Sequence, residues 1–179
     1  MDEWAALAKN GTGERGIFNR GGLQKQIPAR RWKVFAADAA TSGTNPCGEI
    51  ILKSKEFCNL TEVVARPDDT KESLLRKIRL TTILGTYQAT LTNFPFLSKE
   101  WKKNCETERL LGVSITGQWD CPVVRDPAVL AALRDEAIRV NKEYAKRFKI
   151  NQSTCVTCVK PSGELSQLVD SSSGLHPRH

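Results

Sequence analysis

The stretch Asn45-Pro46-Cys47-Gly48-Glu49 decides how the rest of the chain is interpreted. Pro46 has a fixed φ angle and no backbone N–H, whereas Gly48 permits a sharp bend. This composition is typical of a tight loop whose tip directs three polar side chains toward one place. A second cysteine, Cys58, follows eleven residues later.

The local chemistry around Cys47 disfavours an ordinary nucleophile. A nucleophilic cysteine needs a nearby base, usually histidine, and the only histidines are His176 and His179. A neighbouring carboxylate such as Glu49 raises the pKa of a thiol and makes the thiolate scarcer. The residues therefore favour a thiol that stays protonated, with a buried structural cysteine as the alternative.

Four motifs in order resemble the adenosylcobalamin-dependent (class II) ribonucleotide reductases. They are Asn45-Pro-Cys-Gly-Glu49, Cys58-Asn-Leu-Thr-Glu-Val63, Leu111-Gly-Val-Ser-Ile-Thr-Gly117, and Val159-Lys-Pro-Ser-Gly163 with Gly174-Leu-His-Pro177 behind it. The resemblance covers nearly the whole chain. It is least clear in the first ten residues and from Leu23 to Ser42.

The resemblance implies a role for three residues of the loop and for Cys58. Cys47 would be the thiyl radical that removes the 3′-hydrogen of the ribose, Glu49 the base for the 3′-hydroxyl, and Asn45 a hydrogen-bonding partner of the hydroxyls. Cys58 would be a redox cysteine whose partner lies on an earlier strand, upstream of this chain. A Cys47–Cys58 disulfide is the rival interpretation.

A second site is expected at the turn from about 160 to 167. A strand that ends in a Gly/Ser turn and opens a helix points backbone N–H groups at an anion. The resemblance implies that Ser162, Gly163, Glu164 and Leu165 bind the substrate phosphates. Related sequences usually have Thr where this chain has Glu164, and a plain helix-capping turn is the alternative.

Composition limits the class of protein. The chain has 179 residues, 40% of them hydrophobic and 26% charged, enough for one domain with a real core. It contains no apolar run of the ~20 residues that span a bilayer and no signal-peptide pattern, which predicts a cytoplasmic protein without a membrane partner. The net charge of +7 suggests anionic partners. The sequence lacks the stripe of basic residues interleaved with aromatics that is typical of a nucleic-acid-binding groove, so we do not expect a nucleic-acid partner.

Patterning predicts an α/β fold. We expect a helix from Glu3 to Lys9, a glycine-rich connection over 10–22, and short strands at 48–52 and 58–64. A helix over 70–91 should then place Leu80, Ile83, Leu84, Tyr87 and Leu91 against a core. A strand over 109–116 precedes a helix opened by Asp126-Pro127, with Leu130, Leu133, Ala137, Val140, Tyr144 and Phe148 buried, and a last strand is expected over 154–160.

Alternating strands and helices of this kind indicate parallel pairing. The resemblance implies that residues 1–179 are a single partial domain, roughly the second half of a ten-stranded α/β barrel, with a finger loop at about 43–58.

The remaining cysteines and the basic cluster receive structural interpretations. Cys155 and Cys158 have metal-like spacing, but no second pair completes a zinc site, and positions three apart on a strand face opposite sides. Cys105 and Cys121 are expected to be plain core or loop thiols. The cluster Arg30-Arg31-Trp32-Lys33 is expected at an exposed corner.

The predicted function is ribonucleotide reduction for DNA synthesis, with the chain as an incomplete piece. The resemblance implies adenosylcobalamin as cofactor, a ribonucleoside triphosphate as substrate, thioredoxin or a similar dithiol as reductant, and the remaining parts of a reductase as partner. Two alternatives stay open: a piece of a class I large subunit, and a non-enzymatic nucleotide- or anion-binding remnant.

Overall fold

The computed structural model describes residues 2–12 and 16–178. The helices are α1 (Asp2–Asn10), α2 (Leu23–Gln26), α3 (Ala29–Phe35), α4 (Lys71–Gln88), α5 (Lys99–Glu108), α6 (Pro127–Phe148) and α7 (Gly163–Leu168). The strands are β1 (Gly43–Thr44), β2 (Ile51–Leu52), β3 (Asn59–Val64) and β4 (Leu111–Thr116). Gly13, Glu14 and Arg15, within the expected glycine-rich connection, lie outside the described residues.

The predicted parallel pairing is confirmed by β3 and β4. Their six residues pair in parallel, from Asn59 opposite Leu111 to Val64 opposite Thr116. The connection between them runs through α4 and α5, as a parallel pair requires. The chain is therefore α/β, and β1 and β2 form a separate antiparallel hairpin.

The predicted strand over 154–160 is wrong as a regular strand. The segment runs beside β4 and makes one isolated parallel bridge, between Thr157 and Val113. The Lys160 N–H then donates to the Ser114 hydroxyl instead of to a backbone carbonyl, so the ladder stops there. The segment nevertheless flanks β4 on the side opposite β3.

Helix α6 follows the sequence prediction closely. Asp126 is its N-cap, its side chain accepting from the Ala128 N–H, and Pro127 is the first helical residue. Leu133, Ala137 and Val140 are fully buried. The other predicted core residues, Leu130, Tyr144 and Phe148, are half-buried.

Helix α4 has the predicted N-terminus but buries a different face. Thr70 and Ser73 form a capping box, which fixes the start. The predicted apolar stripe is wrong, because Leu80, Leu84, Tyr87 and Leu91 are exposed and Ile83 is half-buried. The residues buried instead are Leu74, Ile78, Thr82, Gly85 and Thr86.

The reason is the close approach of α4 to the sheet. A β-carbon added at Gly85 would lie 3.4 Å from Leu111 Cδ2 and 3.4 Å from Thr61 Cγ2, leaving no room for a larger side chain. The buried residues near the end of the helix, Thr82, Gly85 and Thr86, are therefore small, whereas Leu74 and Ile78 are buried nearer its start. The helix also ends at Gln88, short of the predicted end.

Three helices, α2, α3 and α5, were not predicted from the sequence, and the longest of them is α5. Its residues Lys99–Glu108 are mostly charged, so the segment carries little apolar periodicity. Arg109 ends it in the left-handed region, with φ of 47°. The helix matters for the site because its last residue, Glu108, is fully buried.

The main core lies between the sheet and helices α4 and α6. Val63, Leu111, Val113 and Ile115 point into it from the strands. The alternate residues of the same strands face the β1–β2 hairpin, so the hairpin and the core occupy opposite faces of the sheet. Within the described chain, no helix combines the length and apolarity needed to cross a bilayer.

Candidate active site

The β1–β2 hairpin carries the Asn45–Glu49 stretch at its tip. Asn45 organises the loop: its N–H donates to the Ile50 carbonyl at 3.1 Å, and its carbonyl accepts from the Gly48 N–H at 3.0 Å. Its side-chain Oδ1 also accepts from the Ile50 N–H at 3.0 Å. Since Oδ1 is occupied, the side-chain NH₂ is the group of Asn45 that can donate to a ligand.

The tip exposes the predicted radical thiol. Cys47 is exposed and free, while Asn45 and Glu49 on either side are half-buried. Glu49 Oε2 is buried and makes no hydrogen bond within the described chain. Buried polar atoms are normally satisfied, so this oxygen is an available acceptor at the loop.

Cys58 lies at the base of the hairpin, immediately before β3. It lines a cavity of about 320 Å³ together with Glu49, Arg31 and Cys155. Burial, and then the neighbouring Cys158, raise the pKa of the Cys58 thiol far above its usual range. Cys47 and Cys58 are both free in this structure, so the rival disulfide is not formed here.

The sheet face beneath the hairpin is lined by polar groups. Lys160 Nζ donates to Glu62 Oε2 at 3.0 Å, and the other Glu62 oxygen is buried without a partner among the described residues. Burial, and then Glu49, raise the pKa of the Cys158 thiol to about 12. Glu49 of the hairpin therefore lies close to this face of the sheet.

Gly112 allows the hairpin to approach β4. A β-carbon at this position would lie 2.5 Å from Leu60 Cδ2, 2.9 Å from Cys158 Sγ and 3.2 Å from Ile50 Cδ1. Only glycine leaves space for these three side chains to meet. The motif Leu111–Gly117 therefore contacts both the hairpin and the Cys158 segment.

The expected phosphate turn contains a left-handed residue. Ser162 has φ of 54°, is buried, and its Oγ has no partner within the described chain. The short helix α7 starts at Gly163, which is exposed, as is Glu164, while Leu165 is half-buried. The Glu164 side chain is therefore at the surface.

The last two motifs are packed against each other. A β-carbon at Gly174, whose φ is 54°, would lie 2.5 Å from the Lys160 carbonyl oxygen. Thr116 Oγ1 at the end of β4 donates to the Ser172 carbonyl and accepts from the Gly174 N–H. The C-terminal loop thus joins the end of β4 to the Lys160–Gly163 turn.

Cys155 and Cys158 are free thiols. Residues 2–12 and 16–178 contain no group of three or more Cys, His, Asp or Glu side chains arranged to hold a metal ion. Burial is the largest cause of the raised pKa of each thiol.

Sequence reasoning missed Arg31, which was expected at an exposed corner. Its exposed fraction is 2%, and it pairs with two buried carboxylates, Glu56 and Glu108. Helix α3 is short and basic, so nothing in its pattern marks one arginine as internal. The only local signal is the Phe35 ring four residues later, which the Arg31 guanidinium covers at 4.5 Å.

Comparisons with known proteins show what the chain is similar to. The structure resembles a crystal structure of a B12-dependent (class II) ribonucleotide reductase, with a TM-score of 0.61 and 27% identity over 75% of this chain and 22% of that one. The fold of this chain is therefore similar to part of a class II ribonucleotide reductase.

Curated relatives narrow the similarity to adenosylcobalamin-dependent ribonucleoside-triphosphate reductases. The protein from Levilactobacillus brevis is 28% identical over 92% of this chain and 26% of its own length. The protein from Lactobacillus leichmannii is 26% identical over 78% of this chain and 22% of its own. The protein from Euglena gracilis is 28% identical over 78% of this chain and 19% of its own length.

These similarities confirm the predicted resemblance. The chain spans about a quarter or less of the length of these relatives. No family model matches the chain.

Proposed function

We propose that the chain is the finger-loop portion of the catalytic barrel of an adenosylcobalamin-dependent reductase, which converts ribonucleoside triphosphates to deoxyribonucleotides. The observation that carries this proposal is the hairpin tip: an exposed thiol at Cys47 lies between the available donor of Asn45 and the unsatisfied acceptor of Glu49. The similarity to class II reductases supports the same reaction.

In this proposal Asn45, Cys47 and Glu49 contact the ribose. The Cys47 thiyl radical takes the 3′-hydrogen, and the Glu49 carboxylate accepts the 3′-hydroxyl proton. The Asn45 NH₂ donates to a ribose hydroxyl and orients the sugar. The hydrogen bonds of Asn45 to Ile50 and Gly48 hold the loop in shape before the substrate arrives, which lowers the cost of orientation.

Cys58 supplies reducing equivalents from the base of the hairpin. Loss of the 2′-hydroxyl as water requires two electrons, which two thiols provide by forming a disulfide. The second thiol belongs to an earlier strand of the complete barrel, and thioredoxin or a similar dithiol then reduces the disulfide. The high pKa of Cys58 keeps its hydrogen in place until reaction.

The turn at Lys160–Gln167 binds the substrate phosphates. The backbone N–H groups of Gly163, Glu164 and Leu165 and the unsatisfied Ser162 hydroxyl act as donors. Since the Glu164 side chain is exposed at the surface, its carboxylate can point away from the anion. The departure from Thr at this position is therefore compatible with phosphate binding.

Adenosylcobalamin, when bound, supplies the radical that oxidises the Cys47 thiol. The exposed position of Cys47 fits this role, because a buried thiol could not meet the cofactor. The ten-stranded barrel, with residues 1–179 as one partial domain, and a cytoplasmic location belong to the same proposal. The remaining parts of the barrel would supply the other strands.

The test is an assay of deoxyribonucleotide formation. It uses the polypeptide that contains these residues at the length found in its source cells, as determined from its intact mass. Wild type and Cys47→Ser receive CTP, adenosylcobalamin and dithiothreitol, and CTP binding is measured in parallel. The proposal expects reduction by wild type only, with equal binding. Reduction by the serine variant would overturn it. CTP binding without reduction in both proteins would favour the non-enzymatic alternative. A requirement for a metal cofactor would favour a piece of a class I large subunit.

A further inference from the structure

We infer that Arg31 is a positioning residue for the finger loop, an inference that rests on the function proposed for that loop. Its Nη2 donates to the carbonyl of Ile51, in the return strand of the hairpin, at 2.7 Å. Its Nε donates to Glu108 Oε2 at 2.7 Å, and its Nη2 lies 3.5 Å from Glu56 Oε2. One guanidinium thus joins α3, the hairpin and the end of α5.

The carboxylates around Arg31 have further partners. Lys53 Nζ lies 3.2 Å from Glu108 Oε1, and the Thr154 hydroxyl donates to Glu108 Oε2 at 2.8 Å. The Lys53 N–H donates to Glu56 Oε2 at 2.9 Å. We call Arg31, Lys53, Glu56 and Glu108 the clamp.

The clamp contacts the hairpin at the end of its return strand, β2. Lys53 directly follows β2, and Glu56 lies two residues before Cys58. The planar fork of arginine can serve several acceptors in one plane, which the ammonium group of lysine cannot do. Arg31 therefore sets the position of β2, and with it the orientation of the tip that β2 supports.

The clamp also lies beside the thiols at the base of the hairpin. Arg31, Cys58 and Cys155 line the same cavity. Burial raises the pKa of both thiols, and the positive charge of Arg31 partly offsets that rise. A displacement of Arg31 would change the surroundings of the proposed redox cysteine as well as the loop position.

Protonation of Glu56 gives the clamp a distinctive pH dependence. The charged or titratable groups near it are Glu108 and Cys105 from α5, Arg31 from α3, and Lys53 and Cys58 from its own segment. Burial, and then Glu108, raise the pKa of Glu56 from 4.5 to about 7. When residues 43–57 open, the Glu56 carboxyl returns to its ordinary pKa. The opening constant of this segment therefore rises as pH increases from 4.5 to 7, and it is constant above 7.

The experiment is hydrogen exchange, read by mass spectrometry on the 179-residue chain. The test variant is Arg31→Met with Glu108→Gln, which removes the cation together with the charge of its partner Glu108 and leaves Glu56 with the Lys53 N–H as its donor. The matched control is Arg30→Met, which removes the neighbouring cation from the same cavity. We expect exchange over 43–57 to rise at least tenfold in the test variant only, with helix α6 unchanged.

Two further proteins separate positioning from general stability. Arg31→Lys keeps the charge but loses the fork, and it should also accelerate exchange over 43–57. In wild type the opening constant of this segment, corrected for intrinsic exchange, should rise between pH 4.5 and 7, whereas Glu56→Gln should show no such rise. If the double variant does not fold, these two measurements decide the question.

Unchanged exchange over 43–57, or equal acceleration in α6, would overturn the inference. Full protection in Arg31→Lys or a flat wild-type pH profile would do the same. Exchange requires no turnover, so failure of the radical proposal would appear in the reduction assay and leave these results intact.

Discussion

The two ends of the finger loop differ in nearly every physical property. The tip at Asn45–Glu49 is exposed or half-buried and retains unsatisfied polar groups. The base is held by Arg31, Glu56 and Glu108, with exposed fractions of 2%, 4% and 0%. In the proposed function, the polar groups at the tip are available to a substrate because the buried charges at the base hold the loop in place.

The largest expected effect on stability is at the base. Arg31→Met leaves Glu108 buried without its guanidinium partner, and losing one member of a buried ion pair costs about 3–5 kcal/mol. Denaturant unfolding followed by circular dichroism measures the change. Lys33→Met, an exposed cation on the same helix, is the control and should change the free energy of unfolding by less than about 0.5 kcal/mol. If both variants lost the same free energy of unfolding, the buried Arg31 would contribute no more to stability than an exposed cation, which would contradict the account.

The second effect depends on pH. The pKa of Glu56 is raised in the folded chain to about 7, so the folded state keeps a proton that the unfolded state loses above about 4.5. This contribution is complete below 4.5 and is lost as pH rises to 7, by about 3 kcal/mol. Glu56→Gln cannot ionise and should lack this loss. Unfolding curves of both proteins at pH 5 and 8 test the difference, and parallel behaviour would contradict the raised pKa.

The third effect is steric and lies between the hairpin and β4. Gly112→Ala would place a methyl group against Leu60, Cys158 and Ile50, and overpacking of this kind costs about 1–3 kcal/mol. The control is Gly43→Ala, since a β-carbon there meets no atom within 4 Å. Gly112→Ala should have a lower melting temperature than Gly43→Ala in thermal unfolding. Equal melting temperatures would show that the hairpin shifts to accommodate the added methyl group at little cost.

The smallest effect on stability is expected at the tip. Cys47→Ser changes one exposed atom, so the free energy of unfolding should stay within about 0.5 kcal/mol of wild type. Deoxyribonucleotide formation, measured on the polypeptide as it occurs in its source, should disappear. A serine variant that is strongly destabilised would mean that Cys47 is structural, which is the alternative that the sequence left open.

The comparison of α4 with α6 shows how far apolar periodicity predicts the fold. In α6 the residues Leu133, Ala137 and Val140 are buried as expected, because the helix has one apolar face. Helix α4 has two such faces, and the sheet selects the one with Gly85, since it permits the closer approach. Periodicity identifies a stripe, but it cannot tell which neighbouring element covers it.

The candidate site was predictable where chemistry is local. Asn45, Cys47 and Glu49 are adjacent in sequence, so a tight turn suffices to bring them together. Arg31 and Glu108 are 77 residues apart, and α5 carries little apolar pattern, so only the folded chain shows their pairing. The roles assigned to the tip and to the phosphate turn remain proposals that the experiments address.

The central claim is that Cys47 takes the 3′-hydrogen of a bound ribonucleotide. The most direct measurement compares the turnover of CTP with that of CTP carrying deuterium at the 3′ position, in wild type and in Cys47→Ser. The account predicts slower turnover of the deuterated substrate by wild type and no turnover by the serine variant. Turnover of either substrate by Cys47→Ser would contradict it.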